Sequence, residues 1–526
     1  MELVALPLLG LLAFLLADLV VKRVYAHASP SPQKRLPPGP WQLPLIGSLH
    51  HVLLSRHDAL PHRALRELAG RHGLLMLLRF GIVPMLVASS AEAAREVLKT
   101  HAAAFASLYM THMLAVFTHG GQDVLFSPYG DLWHQLRWVC VLELISAQRI
   151  QSFRHIREDE AGGLLRSIAN ECARSRSDGA VVEIGERLAR VVNNIVVRSA
   201  SAVGSRCARR EEFLHELDEI TRLTASNSLP DLFPSSTLVR WLGSGLREAE
   251  QCNRNAHDIL GDICSKYALE RAEGGQGSGD DGEDDLLGVL LRVRKEDGGV
   301  KCAVTTDAII TVVLEVFATG NCETSATTLE WAMSEIVKEP RLLCKVQAEV
   351  REVFKGQQKL TEGDMGKLSY LHLVIKETPR LHTPVPFLLP RQCREACEVM
   401  GYHVPEGTRV LVNAWAMARD GAYWEDAEVF KPERFEEGRA ATVDFRGGDI
   451  KFIHFGAGSR MCPGIALGLA NMELVLAGLL YHFDWELPDG GRPEELDMAE
   501  VFGLAIRRKS GLVLVLRATQ RIPVAN

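Results

Sequence analysis

Apolar residues run from Leu3 to Val21 with a single interruption at Asp18. As a helix, such a run is long enough to span a bilayer core of ~30 Å. Lys22 and Arg23 follow at once and Lys34 and Arg35 a little later, whereas only Glu2 precedes the run. That imbalance of positive charge places the C-terminal side in the cytosol. Ala26-His27-Ala28 has the small-residue form of a cleavage site, but no positive segment precedes the apolar run. An uncleaved anchor over residues 1–23 is therefore expected. Residues 24–50 are basic and proline-rich, with Pro37-Pro38-Gly39-Pro40 at their centre. Proline fixes φ and discourages helix, so this stretch reads as a stiff hinge.

Beyond the hinge the period changes. From His57 to about Arg271 apolar positions recur mostly at helical spacing, as in Arg63–Arg71 and Ala91–Thr100, while Leu75–Val87 is richer in strand-forming residues. Residues 273–285 are acidic and glycine-rich, the composition of a surface loop. Helical patterns return from Leu286 to His382, with a long one over Ala308–Val337 and another beginning near Leu368. Strand and turn signals then dominate, at Val399–Val404, Pro405-Glu406-Gly407-Thr408 and Val410–Val412, and again in the tail at Gly511–Leu516. The globule is expected to be mainly α with a small β component.

Composition narrows the picture only slightly. At 526 residues the length alone would suggest two or three domains. A net charge of −7 and a pI near 6.2 argue against nucleic acid as a partner. The eleven cysteines are scattered, and the one close pair, Cys393 and Cys397, lacks a second pair at zinc-site spacing. Reduced thiols in a cytosol-facing domain fit better than a disulfide framework.

The chemistry concentrates near the C-terminus, in Phe455-Gly-Ala-Gly458-Ser-Arg460-Met-Cys462-Pro-Gly464. Here one cysteine lies in a glycine-rich loop directly before a helical stretch, Ile465–Leu474. Thiolate is the form that binds iron, and the N–H groups and dipole at a helix start favour negative sulfur. Gly458 and Gly464 allow a tight turn and close approach of a flat ligand, and Arg460 can reach an anionic group on it.

This run resembles the haem-ligand loop of the cytochrome P-450 (haem-thiolate monooxygenase) family, F-x-x-G-x-R-x-C-x-G, at all five fixed positions. A lone cysteine in a glycine turn is by default an inert buried thiol, but the match at five positions sets Cys462 apart. The resemblance implies haem b with Cys462 as axial iron ligand. It extends from the proline-rich hinge to the tail, which implies one large catalytic domain over residues 51–526.

Four further stretches resemble the same family. Glu377-Thr378-Pro379-Arg380 places an acid and a base on one helix face, and with Arg434 in Phe430-Lys-Pro-Glu-Arg434-Phe435 it resembles the Glu–Arg–Arg triad that stabilises the haem-loop region. Trp133-His-Gln-Leu-Arg137 offers two donor-only side chains four residues apart, resembling the pair that contacts the haem propionates. The resemblance adds Arg391 and Arg460 to that group. Ala318-Thr-Gly320-Asn-Cys-Glu323-Thr324 resembles the oxygen-activating helix, which implies a proton relay through Glu323 and Thr324.

Several positions depart from the family pattern. Asn321 stands where a second glycine is usual, and the acid–Thr pair arrives one residue late relative to Phe317. A π-turn absorbing one residue would restore the facing. Pro379 stands where Leu is usual, Leu108-Tyr109 where Arg-Pro is common, and His454 where Pro is frequent.

Taken with the anchor, the resemblance implies a single-pass endoplasmic reticulum membrane monooxygenase with its catalytic domain facing the cytosol. Electrons would come from an NADPH-dependent flavoprotein reductase, since the chain has no dinucleotide fingerprint of its own. Pro390-Arg-Gln-Cys393-Arg, Cys397-Glu-Val-Met-Gly-Tyr402 and Gly468-Leu-Ala-Asn-Met-Glu473 resemble plant microsomal members, which implies an apolar substrate such as a terpenoid. Two other readings stay open at this stage. One is a hydroperoxide-rearranging enzyme, a class that tends to lack the acid–Thr pair kept here. The other is a catalytically degenerate protein that binds haem or apolar ligands.

Overall fold

The structure, a computed structural model, describes residues 34–55, 60–175, 179–199, 209–225, 229–237, 239, 245–272, 305–318, 322–357 and 359–518. The anchor expected over 1–23 and the acidic loop over 273–285 lie outside these residues, as does Asn321. From Lys34 the hinge is tied to the globule. Pro38 accepts the Leu77 N–H at 2.8 Å and Arg35 accepts that of His403 at 2.8 Å. Gly39 lies against Leu77, whose carbonyl would be 2.0 Å from any added Cβ.

The helices follow the apolar stripes. Helix α1, Pro61–His72, opens with proline at its first position and ends at Gly73 with φ 116°. Its stripe of Ala64, Leu65, Leu68 and Ala69 is buried, and each leucine contributes about 2 kcal/mol of transfer free energy. Four long helices follow: α2 Asp131–Val139, α3 Arg154–Arg174, α4 Ile184–Ser199 and α5 Arg210–Ala225. After α6 Gly245–Ala272 come α7 Thr306–Ala318, α8 Cys322–Lys338, α9 Pro340–Val353 and α10 Ser369–Leu381. The last, α11 Ile465–His482, is long and apolar enough to cross a membrane, but 67% of that span is buried. It is the axis of the main core, packed against α3, α8, α9 and α10.

One expected helix is altered. The Ala91–Thr100 pattern is α-helical only to Arg95 and continues over Glu96–Thr100 as a π-turn, closed by the His101 N–H on the Glu96 carbonyl at 2.8 Å. The same widening follows α2 at Cys140–Leu144. The pattern expected over Ala308–Val337 is described as α7 and α8, whose apolar residues enter different cores. Ala308–Leu314 pack with α5 and α6, and Ala326–Val337 pack with α11.

Among the described residues, twelve short strands make up the β component. Leu75–Val87 is a hairpin of β1 Leu75–Phe80 and β2 Val83–Ala88, turning at Gly81 with φ 61°. β2 pairs in parallel with β8 Arg409–Val412, which is followed outward by β5 Arg391–Gln392 and β3 Ser107–Leu108. This register sets Arg391 opposite both Val410 and Leu108. A second sheet joins β4 Ala180–Glu183, β12 Val513–Ala518 and β9 Phe483–Glu486, and the hairpins are β6 Cys397–Val399 with β7 Tyr402–Val404, and β10 Glu500–Val501 with β11 Arg507–Arg508.

Candidate active site

The cysteine loop is held by backbone geometry. Gly456 and Gly458 have φ of 77° and 72°, and a Cβ at Gly458 would lie 2.7 Å from the Leu98 carbonyl oxygen. The Cys462 N–H closes the loop on the Phe455 carbonyl at 2.8 Å. Gly464 then caps α11, and a Cβ there would meet the Cys462 Sγ at 3.9 Å. The thiol is free and half-buried. Burial pushes its pKa up, while the Gly464 N–H and the Arg137 guanidinium act in the opposite sense by favouring the thiolate.

Three guanidiniums converge on this loop. Arg137, from α2, donates to the Met461 carbonyl at 2.5 Å. Arg391, from β5, donates to the carbonyls of Phe105 at 3.0 Å and Ala457 at 3.3 Å. Arg460 donates to Ala106 at 2.8 Å, Leu125 at 2.8 Å and Ser127 at 2.6 Å, and lies 4.3 Å above the Trp133 ring. The Trp133 indole N–H is given to the Val124 carbonyl at 3.1 Å. Burial lowers the pKa of all three, Arg391 and Arg460 to about 10. Among the described residues none of the three makes an ion pair.

Glu323 and Thr324 occupy the first turn of α8. One Glu323 oxygen is 3.5 Å from the Arg507 Nε, and the other is buried with no hydrogen-bond partner. Burial raises this carboxyl's pKa, opposed by Arg507 and the Ala505 N–H. The acid–Thr pair thus stands beside the β10–β11 hairpin.

Glu377, Arg380 and Arg434 form one network. Arg380 grips the Glu377 carboxylate with two hydrogen bonds of 2.7 and 2.8 Å, both side chains being 0% exposed. Arg434 adds a third at 3.0 Å and the Lys431 N–H a fourth at 2.9 Å. The remaining Arg380 donors go to the carbonyls of Ala418, Ala427 and Val429. Every strong donor here has an acceptor, which is what makes a buried charge cluster tolerable. Pro379 sits two residues before the end of α10, so the i→i−4 bond it forfeits and the restriction it imposes fall in the last turn, where little helix remains to be disturbed.

A family profile for cytochrome P-450 matches residues 37–515. The chain belongs to the cytochrome P-450 family. The zealexin A1 synthase of Zea mays is 46% identical over 92% of this chain and 92% of its own. The dolabradiene monooxygenase of Zea mays is 44% identical over 94% and 95%, and the premnaspirodiene oxygenase of Hyoscyamus muticus 43% over 93% of each chain. A zebra fish cytochrome P-450 solved with progesterone superposes with a TM-score of 0.70 at 25% identity, covering 87% of this chain and 99% of that one. The protein is therefore an oxidoreductase of the P-450 monooxygenase class, incorporating one oxygen atom, and its cofactor is haem with an axial cysteine thiolate.

The residues of this P-450 fit that cofactor. Three guanidiniums that make no ion pair among the described residues suit a ligand that carries two carboxylates, and the glycines around Cys462 leave its sulfur approachable. Two parts of the site escaped the sequence reading. The carbonyls of Val124, Leu125 and Ser127 take up the Trp133 and Arg460 donors, and backbone acceptors leave no trace in side-chain identity. Glu315, a lone charge in the apolar run Ala308–Phe317, was legible in principle, because a buried acid needs a partner. Its carboxyl accepts the Val124 N–H at 2.9 Å.

Proposed function

We propose that this chain is a membrane-anchored, endoplasmic reticulum monooxygenase in which Cys462 is the haem thiolate ligand and a terpenoid is oxidised with electrons from an NADPH-dependent flavoprotein reductase. The observation that carries the reading is the juxtaposition of a free thiol in a glycine-shaped loop with three guanidiniums that make no ion pair among the described residues. Arg137, Arg391 and Arg460 would hold the propionates, with Trp133 stacked under Arg460, and Phe455 and Gly464 would flank the iron ligand.

Bound haem supplies the capacity to activate dioxygen. This chain's own residues supply orientation and protons. The Gly464 N–H and Arg137 favour the charged sulfur at Cys462. Glu323, whose pKa burial raises, keeps a proton at its unpartnered carboxyl oxygen closer to neutral pH than an exposed glutamate would, and passes it on through Thr324. Glu377, Arg380 and Arg434 fix the segments packed beneath the loop and take no part in proton transfer.

The terpenoid assignment rests on relatives named for such substrates, the premnaspirodiene oxygenase and the ent-cassadiene hydroxylase of Oryza sativa subsp. japonica among them. Residues 1–23 would be the transmembrane anchor, 24–50 the hinge and 51–526 the catalytic domain. Contact with lipid is supported by Trp41 within the hinge and Leu53 and Leu54 just beyond it, which are 63%, 61% and 81% exposed.

The test is a carbon monoxide difference spectrum of the reduced protein, followed by turnover with NADPH, a reductase and sesquiterpene or diterpene hydrocarbons. The native chain should give the red-shifted Soret band of a thiolate complex and products heavier by one oxygen. C462A should lose the band; a band that survives in C462A refutes the ligand assignment. A native chain with the band but no oxygenated product would be the degenerate form.

A further inference from the structure

The loop Asp123–Ser127 lies between the two halves of the site and is bonded to both. On one side Glu315, from α7, accepts the Val124 N–H at 2.9 Å, and the Leu125 N–H adds to that contact. On the other side the loop's carbonyls receive Trp133 at 3.1 Å and Arg460 at 2.8 and 2.6 Å. The loop also braces itself, with the Phe126 N–H on the Asp123 carboxyl at 2.8 Å. Donors pointing one way and carbonyls the other make the strand of loop a rigid spacer.

We propose that Glu315 is a positioning residue: from α7 it seats the loop Asp123–Ser127, whose carbonyls in turn set the direction of the Arg460 guanidinium and the Trp133 indole toward the haem edge. The inference rests on the haem reading above and deepens it. Arg460 is buried and makes no direct ion pair among the described residues, so its three carbonyl partners fix where its charge points. Two of those three belong to the loop that Glu315 holds. Burial beside Asp123 pushes the Glu315 carboxyl pKa well up, and a neutral acid still accepts the Val124 N–H through its carbonyl oxygen. Glutamine offers the same acceptor, whereas methionine fills the volume without one.

The experiment compares E315M and E315Q with the native chain in two measurements. The first is the rate at which the haem-loaded protein gives up haem to excess apomyoglobin; the second is hydrogen exchange of the amides in residues 123–127. E315M is expected to release haem faster by on the order of fivefold to tenfold, the effect of one lost hydrogen bond, and to lose protection at Val124 and Leu125. E315Q is expected to stay within about twofold of native, since it keeps the acceptor. The red-shifted Soret band should persist in both. If E315M matches the native release rate, or E315Q releases haem as fast as E315M, Glu315 does not act through its acceptor and the inference falls. A native chain without the Soret band would instead refute the haem reading itself.

Discussion

At the scale of single residues, the site is built from fixed side chains and from backbone groups that any sequence can supply. Cys462, Arg460 and the glycines were legible because each has a chemical duty that few residue types perform. The carbonyl partners of Arg137, Arg391 and Arg460 were not, since every residue has a carbonyl. His454 is the clearest case of an environment that sequence conceals. Its ring meets Phe452 edge-on at 4.6 Å, and both its nitrogens are buried without a partner. Burial, with Arg380 and Arg419 adding to it, lowers its pKa to about 3. An unfolded histidine titrates near ~6.5, so the unfolded chain takes up the proton first as pH falls. Stability from this group is complete above about pH 6.5 and declines by about 1 kcal/mol per unit down to the folded pKa. His257 and His482, each lowered to about 4, act in the same sense. Melting curves between pH 7 and 5 should show a falling midpoint whose slope is shallower in H454F. An unchanged slope would mean that His454 is already reachable by protons.

At the scale of elements, period predicted helices well and their packing partners poorly. The pattern over Ala308–Val337 reads as one helical stretch, but its two ends serve different cores, α7 with α5 and α6, α8 with α11. Only tertiary packing reveals that division. The Glu377–Arg380 pair could be read from spacing, whereas its burial could not, because acid–base pairs at that spacing are mostly solvated. Burial sets the magnitude of the next expectation. Removing the Glu377 carboxylate leaves Arg380 and Arg434 without their shared counter-charge, and breaking such a pair costs about 3–5 kcal/mol. E377A should therefore lower the unfolding free energy from denaturant titration by that amount and lower haem content with it, whereas replacement of an exposed acid such as Glu352 should change neither. A fully stable E377A with normal haem would show that the network is dispensable.

At the scale of the whole molecule, the fold class followed from the order of patterns, helices first and strands late, but the sheet connections did not. β2 lies beside β8, and Val87 pairs with Leu411; no local signal announces so distant a partner. The proline-rich stretch read as a stiff hinge, and its composition gave no sign that from Lys34 onward it is bonded to β1 and to the β6–β7 hairpin. This sharpens the expectation for truncation. Removing residues 1–28 should weaken sedimentation with membranes and leave the carbon monoxide spectrum intact, because the bonded stretch is retained. Truncation that abolished haem incorporation would make the leader part of the folded domain. The widened turn at Glu96–Thr100 has a consequence of its own: it presents the Leu98 carbonyl to Gly458, where an added Cβ would lie 2.7 Å from the oxygen. Any side chain at 458 therefore requires that turn to move as well, so a helix end far away in the chain sets what the cysteine loop can be made of.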